Sequence, residues 1–129
     1  MPLIRIDLVE GRSQDEIKIL LDTINDCVEQ SFETPDRDRY QLVTQHKQNE
    51  MVFLDTGLGF ERSKNLVVIQ VFTSPRDVKM KQKFYKLMSE KLNQKCGLDG
   101  KDLFISIMTN NKEDWSFGHG DAQYITGEL

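Results

Sequence analysis

Cysteine, histidine and long apolar runs are all scarce in this sequence of 129 residues. The two cysteines, Cys27 and Cys96, supply neither a disulfide framework nor a zinc quartet, and we expect both as small buried side chains on helices. The two histidines, His46 and His119, lack a carboxylate or a second histidine at ligand spacing, so no metal site is expected. The longest apolar run, residues 66–69, is far shorter than the roughly 20 residues of a membrane-spanning helix.

The sequence also lacks an excess of positive charge. It has 17 Lys and Arg residues against 21 Asp and Glu residues, a net charge of −4 and an isoelectric point near 5.2. Proteins that bind nucleic acids or membrane surfaces carry clustered basic patches, so we expect neither partner. Arg5 and Asp7 interrupt any apolar core of a secretion signal. These features predict a soluble cytoplasmic protein in which residues 1–129 form one domain.

The first half of the chain has the pattern of a strand, a helix and a second strand. Residues 3–8 alternate between apolar and polar side chains, as in a strand. Residues 13–16, Ser-Gln-Asp-Glu, form a capping box, and apolar side chains then recur at helical spacing as far as Phe32. Pro35 follows, and residues 40–45 have strand character. This order predicts a β-α-β unit.

The second half repeats that order. Residues 65–72 form a strongly apolar strand pattern, and Ser74 offers a helix N-cap followed by Pro75 at the first helical position. Gly97 is a suitable C-cap, and residues 103–108 have the pattern of another strand. The inner face of the intervening helix is predicted from apolar residues at helical spacing: Val78, Tyr85, Met88 and Leu92.

Two β-α-β halves, of residues 2–62 and 63–129, indicate an internal duplication. The predicted fold is an α/β (α+β) architecture with a four-stranded mixed sheet and two helices on one face. Residues 66–72 are apolar on both faces of their strand, as in buried strands. Two helices cover only one face, and exposing each Val or Ile on the other costs roughly 1.5–3 kcal/mol relative to burial. An oligomer packed through its sheets is therefore expected.

Two glycine-containing motifs carry little functional weight. Residues 57–62, GLGFER, begin like a dinucleotide-binding loop but have Arg in place of the third glycine and no following helix. Residues 55–57, Asp-Thr-Gly, match the triplet of aspartic proteases in a chain of the wrong size. Both are interpreted as loops.

Pro2 is a candidate catalytic residue because of its position directly after Met1. Removal of Met1 would leave a free secondary amine at the start of a core strand. The α-amino groups of proteins titrate at about 7.7–8.0, so such an amine can act as an acid or a base near neutral pH. Burial would lower that pKa, and a nearby carboxylate would raise it. A proline at this position is a weak signal by itself, because many proteins have one.

The chain resembles the tautomerase superfamily, whose catalyst is an amino-terminal proline, and most closely malonate semialdehyde decarboxylase and its relatives. The resemblance rests on Pro2 and on segments spread over nearly the whole chain: DLVEGR (7–12), DRYQ (38–41), DTGLG (55–59), FYKL (84–87) and DWSFG (114–118). It implies the fold shared with macrophage migration inhibitory factor, a homotrimer with sites near the subunit interfaces, and no cofactor.

The resemblance also implies site residues. The catalytic proline of the family falls on Pro2, and its aspartate, which activates water or handles a proton, falls on Asp38. Trp115 and Phe117 match aromatic residues of the pocket wall. From the residues alone, Asp38 is also compatible with a turn carboxylate and Arg76 with an exposed residue in the first turn of a helix. Trp115 by itself is compatible with a packing anchor or with a pocket wall.

One departure from the family changes the expected chemistry. The Arg-Pro-Arg triplet of the decarboxylase, which binds and polarises the substrate, is here Ser74-Pro75-Arg76. Arg76 can still bind a carboxylate, and Ser74 is a candidate substrate-binding residue with one neutral donor. We therefore expect keto–enol tautomerisation of a small oxo acid with a neutral Pro2. The alternatives are decarboxylation of malonate semialdehyde with a cationic Pro2 and a non-catalytic trimeric binding or structural protein.

Overall fold

Four strands and two long helices account for most of the chain in the computed structural model, which describes all 129 residues. Their order is β1 (Leu3–Val9), α1 (Gln14–Phe32), β2 (Tyr40–His46), β3 (Val67–Thr73), α2 (Val78–Cys96), β4 (Leu103–Thr109) and a short α3 (Gln123–Thr126). Three single-turn 3₁₀ helices lie in the connections: Gln48–Glu50, Gly100–Asp102 and Lys112–Asp114. None of the helices is long and apolar enough to cross a membrane.

The sheet is mixed, with strand order β2-β1-β3-β4. Strands β1 and β2 are parallel, β3 and β4 are parallel, and the central pair β1 and β3 is antiparallel. Each half of the chain thus contributes one parallel β-α-β unit. The predicted four-stranded mixed sheet is confirmed, while the origin of the halves by duplication stays a prediction.

The core lies between the sheet and the two helices, which pack side by side on one of its faces. Phe32 of α1 stacks on Phe84 of α2 with ring centroids 4.8 Å apart. The side chains that the two central strands turn toward the helices are at most 2% exposed: Ile4, Ile6, Leu8, Val67, Ile69 and Val71. Each contributes roughly 1.5–3 kcal/mol through burial.

The opposite face of the sheet has no helix over it. Leu42 of the edge strand β2 is 52% exposed there, and Arg5 at the centre of the face is also exposed. An imidazole nitrogen of His46 lies 2.7 Å from the carboxylate of Asp7 across the parallel pair of β1 and β2. This face carries both apolar side chains and a hydrogen-bonded polar pair. Such a mixture is more typical of a protein–protein interface than of a hydrophobic core.

The first helix begins and the second ends as predicted. Ser13 accepts a hydrogen bond from the Glu16 backbone N–H, and Glu16 accepts one from Ser13 in return. Gly97 ends α2 in the left-handed region, with φ of 65°.

The predicted start of α2 is wrong. The N-cap is Asp77, whose carboxylate accepts the Met80 N–H at 2.8 Å, whereas Ser74 is buried where β3 ends. Pro75 therefore precedes the helix and does not open it.

The predicted inner face of α2 is partly wrong. Met88 and Leu92 are fully buried as expected, but Val78 is 68% exposed and Tyr85 is 39% exposed. The reason is that Phe84, which stacks on α1, sets the phase of the buried face. The prediction that both cysteines are buried is confirmed for Cys27 and wrong for Cys96, which is the last residue of α2 and is exposed.

Candidate active site

A cavity of about 530 Å³ opens at the end of the sheet where β1 begins. Strand register explains which groups meet there. Leu3 pairs with Tyr40 in the parallel β1–β2 ladder, so Met1 and Asp38 each precede their strand by two residues and lie side by side. Leu3 also pairs with Phe72 near the end of β3, which brings the β3–α2 connection to the same place.

The loop between α1 and β2 forms one wall of this cavity. Glu33 ends α1 in the left-handed region with φ of 54°, and the chain then folds into a tight turn in which the Asp38 N–H donates to the Pro35 carbonyl at 3.3 Å. Arg37 also has a positive φ, 68°. Thr34 faces the cavity with a buried hydroxyl that has no hydrogen-bond partner. The turn directs the Asp38 carboxylate toward the amino terminus.

The chain's own amino group lies inside the cavity. The Met1 amine contacts the carboxylate of Asp38, and both side chains are nearly buried, at 13% and 14% exposed. Burial, together with the positive charge of Arg76, lowers the pKa of this amine from 8.0 to about 5. The Asp38 contact opposes that shift, because a carboxylate favours the charged amine. Pro2 is buried directly behind Met1.

Arg76 is held in place from two elements. Its Nη1 donates to the Phe32 carbonyl at the end of α1 at 3.0 Å, and its Nε donates to the Thr73 hydroxyl at the end of β3 at 3.3 Å. The guanidinium also lies 5.2 Å from the centre of the Phe32 ring. Burial lowers the pKa of Arg76, which nevertheless stays charged. A guanidinium has five N–H donors, so three remain for a ligand.

Phe117 is the centre of an aromatic cluster on the other wall. Tyr40 stacks on it at 5.6 Å, Trp115 stacks nearly parallel to it at 5.7 Å, and Tyr124 meets it edge-on at 5.5 Å. Phe117, Tyr40 and Tyr124 line the cavity. Trp115 instead lines an adjoining slot behind Phe117, and its indole N–H donates to the Asn110 side chain at 2.8 Å.

The structure thus brings four predicted site residues to one place and leaves two outside it. Asp38, Arg76 and Phe117 line the cavity, and Pro2 lies next to it. Trp115 supports Phe117 from behind, and Ser74 is buried without lining either space. Sequence reasoning missed several lining residues: Phe32, Arg37, Tyr40, Tyr124 and Leu129. Only Tyr40, within the DRYQ segment, carried a signal that could have identified it.

The cavity has charged groups of both signs. Arg37 and Arg76 face Glu33, Asp36 and Asp38. No group of three or more His, Cys, Asp or Glu side chains in the protein is arranged to hold a metal ion. A cavity with a buried amine and a cation is suited to the transfer of a proton between the amine and an anionic ligand.

Comparison with known proteins identifies the family. Two family models described as tautomerase enzyme match residues 38–118 and residues 2–61. The probable tautomerase YrdN of Bacillus subtilis (strain 168) is 50% identical over 129 residues and covers all of both chains. The chain belongs to the tautomerase family. The probable tautomerase YusQ of the same organism is 30% identical over 126 residues, which are 97% of this chain and 99% of that protein.

Solved structures of similar chains show the same fold. A crystal structure of malonate semialdehyde decarboxylase superposes with a TM-score of 0.96 at 42% identity, covering 98% of both chains. A malonate semialdehyde decarboxylase inhibited by 3-bromopropiolate gives 0.94 at 42% identity, covering 98% of this chain and 97% of that one. A macrophage migration inhibitory factor-like protein from Entamoeba histolytica, at 0.69 and 14% identity, covers 92% of this tautomerase and 96% of its own chain. The predicted fold is confirmed, and the protein is an enzyme of the tautomerase superfamily.

Proposed function

We propose that this tautomerase interconverts the keto and enol forms of a small oxo carboxylic acid, with the Pro2 amine as acid and base once Met1 is removed. One observation carries the proposal: the amino terminus, Asp38 and Arg76 share one cavity. No other part of the protein combines a buried amine with a cation that could hold a carboxylate.

The surroundings favour a neutral amine. Burial and the charge of Arg76 lower the pKa of the Met1 amine to about 5. The Pro2 nitrogen, one residue further along, is also buried, and we infer that the same two causes act on it once Met1 is removed. A neutral Pro2 nitrogen can take the enol O–H proton and deliver it to carbon, and the reverse transfer restores the enol. Each cycle returns the amine to its starting state, so the reaction needs no cofactor.

The other groups of the cavity have separate roles in this proposal. Arg76 binds the substrate carboxylate through its free N–H donors. Asp38, whose carboxylate contacts the Met1 amine, stabilises the protonated form of the Pro2 amine in this proposal and relays a proton. Phe117 and Tyr40 exclude water, which strengthens both interactions. Ser74 and Trp115 stay predicted substrate-binding residues, although neither lines the cavity.

Decarboxylation of malonate semialdehyde is the second candidate. It is supported by 42% identity to a malonate semialdehyde decarboxylase over nearly the full length of both chains. That reaction would use a cationic Pro2 to polarise the carbonyl, and the Asp38 contact favours a cation. The serine at position 74 weighs against it, because a positive charge that could stabilise the developing anion is missing.

Blocking or replacing Pro2 tests the proposal. Protein shown by intact mass to lack Met1 should tautomerise phenylenolpyruvate, whereas protein that retains Met1 has the Pro2 nitrogen in a peptide bond and should not. Pro2→Ala replaces the secondary amine by a primary amine and should lower kcat, by at most the roughly 10²–10⁴-fold range for complete loss of a general acid–base group. Val52→Ala, at an exposed apolar residue outside the cavity, is the control and should keep its activity. Activity in the protein that retains Met1, where the Pro2 nitrogen is not an amine, would show that the amine is not the catalyst.

We also propose that the enzyme is a homotrimer. Fused 4-OT, which shares the fold at a TM-score of 0.78 and 19% identity over 97% of this chain and 98% of its own, forms a symmetric trimer. The sheet face without a helix is the surface that assembly would cover. Light scattering after size exclusion should give about three times the 15.0 kDa chain mass. A mass of one chain would contradict the trimer.

A further inference from the structure

The last twelve residues of the chain fold back over the cavity. We call residues 118–129 the C-terminal strap. The chain leaves Phe117 through three consecutive residues with positive φ, namely Gly118 (154°), His119 (59°) and Gly120 (73°), and then enters α3. This turn reverses the chain direction and allows Tyr124 and Leu129 to line the cavity. The strap therefore carries part of the wall of the proposed active site.

One side chain closes the turn. The Gln123 Oε1 accepts the Phe117 N–H at 3.0 Å, and its Nε2 donates to the Gly118 carbonyl at 3.0 Å. The Gln123 carbonyl in turn accepts the Leu129 N–H at 3.3 Å. Gln123 thus joins the aromatic wall, the turn and the end of the chain, and both ends of its amide are used.

Little else holds the strap. Helix α3 has only four residues, too few to be stable by itself. Its apolar side chains are largely outside, with Ile125 63% exposed and Leu129 69% exposed. The strap also packs Tyr124 edge-on against Phe117 and lies beside the 3₁₀ helix of residues 112–114, where the Lys112 ammonium is 5.9 Å from the centre of the Tyr124 ring. Its one hydrogen bond to the preceding chain is the one that Gln123 accepts from the Phe117 N–H, while the bond from Gln123 to Gly118 closes the turn itself.

The position of the strap affects two ionisable groups of the cavity, Arg76 and the terminal amine. Burial raises the pKa of Tyr124, while nearby Arg76 opposes that rise, so the phenol and the guanidinium lie within electrostatic reach of each other. Tyr124 and Leu129 also share the cavity with the terminal amine, whose pKa is lowered mainly by burial. A strap that swings away would admit water to the amine and move the phenol from Arg76.

We infer that Gln123 is a positioning residue that closes the C-terminal strap over the cavity, keeping Tyr124 beside Arg76 and water away from the terminal amine. The inference rests on the proposed function only for its kinetic consequence, because closure itself can be measured without turnover.

The test compares Gln123→Ala with Gln123→Glu. Alanine removes both hydrogen bonds, whereas ionised glutamate keeps the acceptor for the Phe117 N–H and loses the donor to Gly118. Gln94→Ala, at an exposed glutamine of α2, is the matched control. For protein without Met1, kcat/KM for phenylenolpyruvate should fall roughly tenfold in Gln123→Ala, mostly through KM, and less in Gln123→Glu. The control should match the wild type.

Two readouts do not depend on turnover. In protein that retains Met1, the pH dependence of arylation of the Met1 amine by fluorodinitrobenzene reports the pKa of that amine, which should move up toward 8.0 in Gln123→Ala. Fluorescence of Trp115, the sole tryptophan, should report weaker binding of phenylpyruvate by about the same factor. If wild-type protein lacks tautomerase activity but the amine still shifts in Gln123→Ala, the proposed function fails and the role of Gln123 stands.

Unchanged amine titration and unchanged phenylpyruvate binding in a folded Gln123→Ala protein would overturn the inference. Circular dichroism checks folding. If the alanine variant does not fold, Gln123→Met, which keeps the side-chain length and removes both hydrogen bonds without adding a charge, decides alone: an upward shift of the pKa of the amine supports the inference, and no shift refutes it.

Discussion

Replacing Arg76 by methionine tests the electrostatic reasoning about the cavity most fully. Methionine keeps much of the side-chain volume and removes the charge and all five donors. In the proposed complex, Arg76 binds the substrate carboxylate by charge-assisted hydrogen bonds, which contribute about 1.5–3 kcal/mol each. A net loss of about 3 kcal/mol corresponds to a roughly 100-fold fall in kcat/KM, since each 1.36 kcal/mol is a factor of ten.

The same substitution should change the pH dependence. Arg76 lowers the pKa of the terminal amine, so its removal should raise that pKa. Tautomerisation needs the neutral amine, so activity rises as the pH increases through the amine pKa. In Arg76→Met this rise should therefore move to higher pH. For a cationic catalyst, activity would instead fall as the pH increases through the same pKa.

Folding should suffer only modestly. The substitution leaves the Phe32 carbonyl and the Thr73 hydroxyl without a donor. Because Arg76 is partly exposed and water can replace it, the free energy of unfolding should fall by about 1 kcal/mol, measurable by urea denaturation.

A second arginine provides the control. Arg39→Met breaks an exposed ion pair with Asp22 outside the cavity, so it should change stability little and leave kcat/KM unchanged. The reasoning is refuted if folded Arg76→Met keeps kcat/KM within about threefold of the wild type, since a carboxylate anchor is worth far more than that.

Three further substitutions test other parts of the account. Asp38→Asn removes the carboxylate that contacts the amine, so the amine pKa should fall further and kcat should drop at least tenfold. Asp26→Asn, at an exposed carboxylate of α1 outside the cavity, should have little effect on the pH–rate profile. Asp77→Ala removes the true N-cap of α2 and should cost about 1 kcal/mol in urea denaturation without changing activity. Phe117→Leu breaks the aromatic stacks and should raise KM severalfold and lower stability by about 1–2 kcal/mol.

The elements of the fold were predictable where local signals agree. The alternation in β1 and the reciprocal bonds of Ser13 and Glu16 depend on near neighbours in sequence, and both were identified. The start of α2 was not, because Ser74 and Asp77 can each cap a helix. What decides between them is where β3 ends, which buries Ser74 and leaves Asp77 free to accept the Met80 N–H.

The site residues that could be predicted were those that the family resemblance supplied. Asp38 and Arg76 came from matched motifs, and strand register then explains why they meet the amino terminus. Tyr124 and Gln123 had no such signal. They lie in a short segment without hydrophobic periodicity. Their roles depend on a turn of three residues with positive φ, and the sequence Gly-His-Gly does not by itself predict that turn.

The central claim is that a neutral Pro2 amine transfers protons in this tautomerase. The most direct measurement is kcat/KM against pH, for phenylenolpyruvate and malonate semialdehyde side by side, with protein whose intact mass shows a free Pro2. The account predicts tautomerisation that rises with pH to a plateau, with decarboxylation slower. Rapid decarboxylation without tautomerisation, with activity falling as the pH rises, would contradict it.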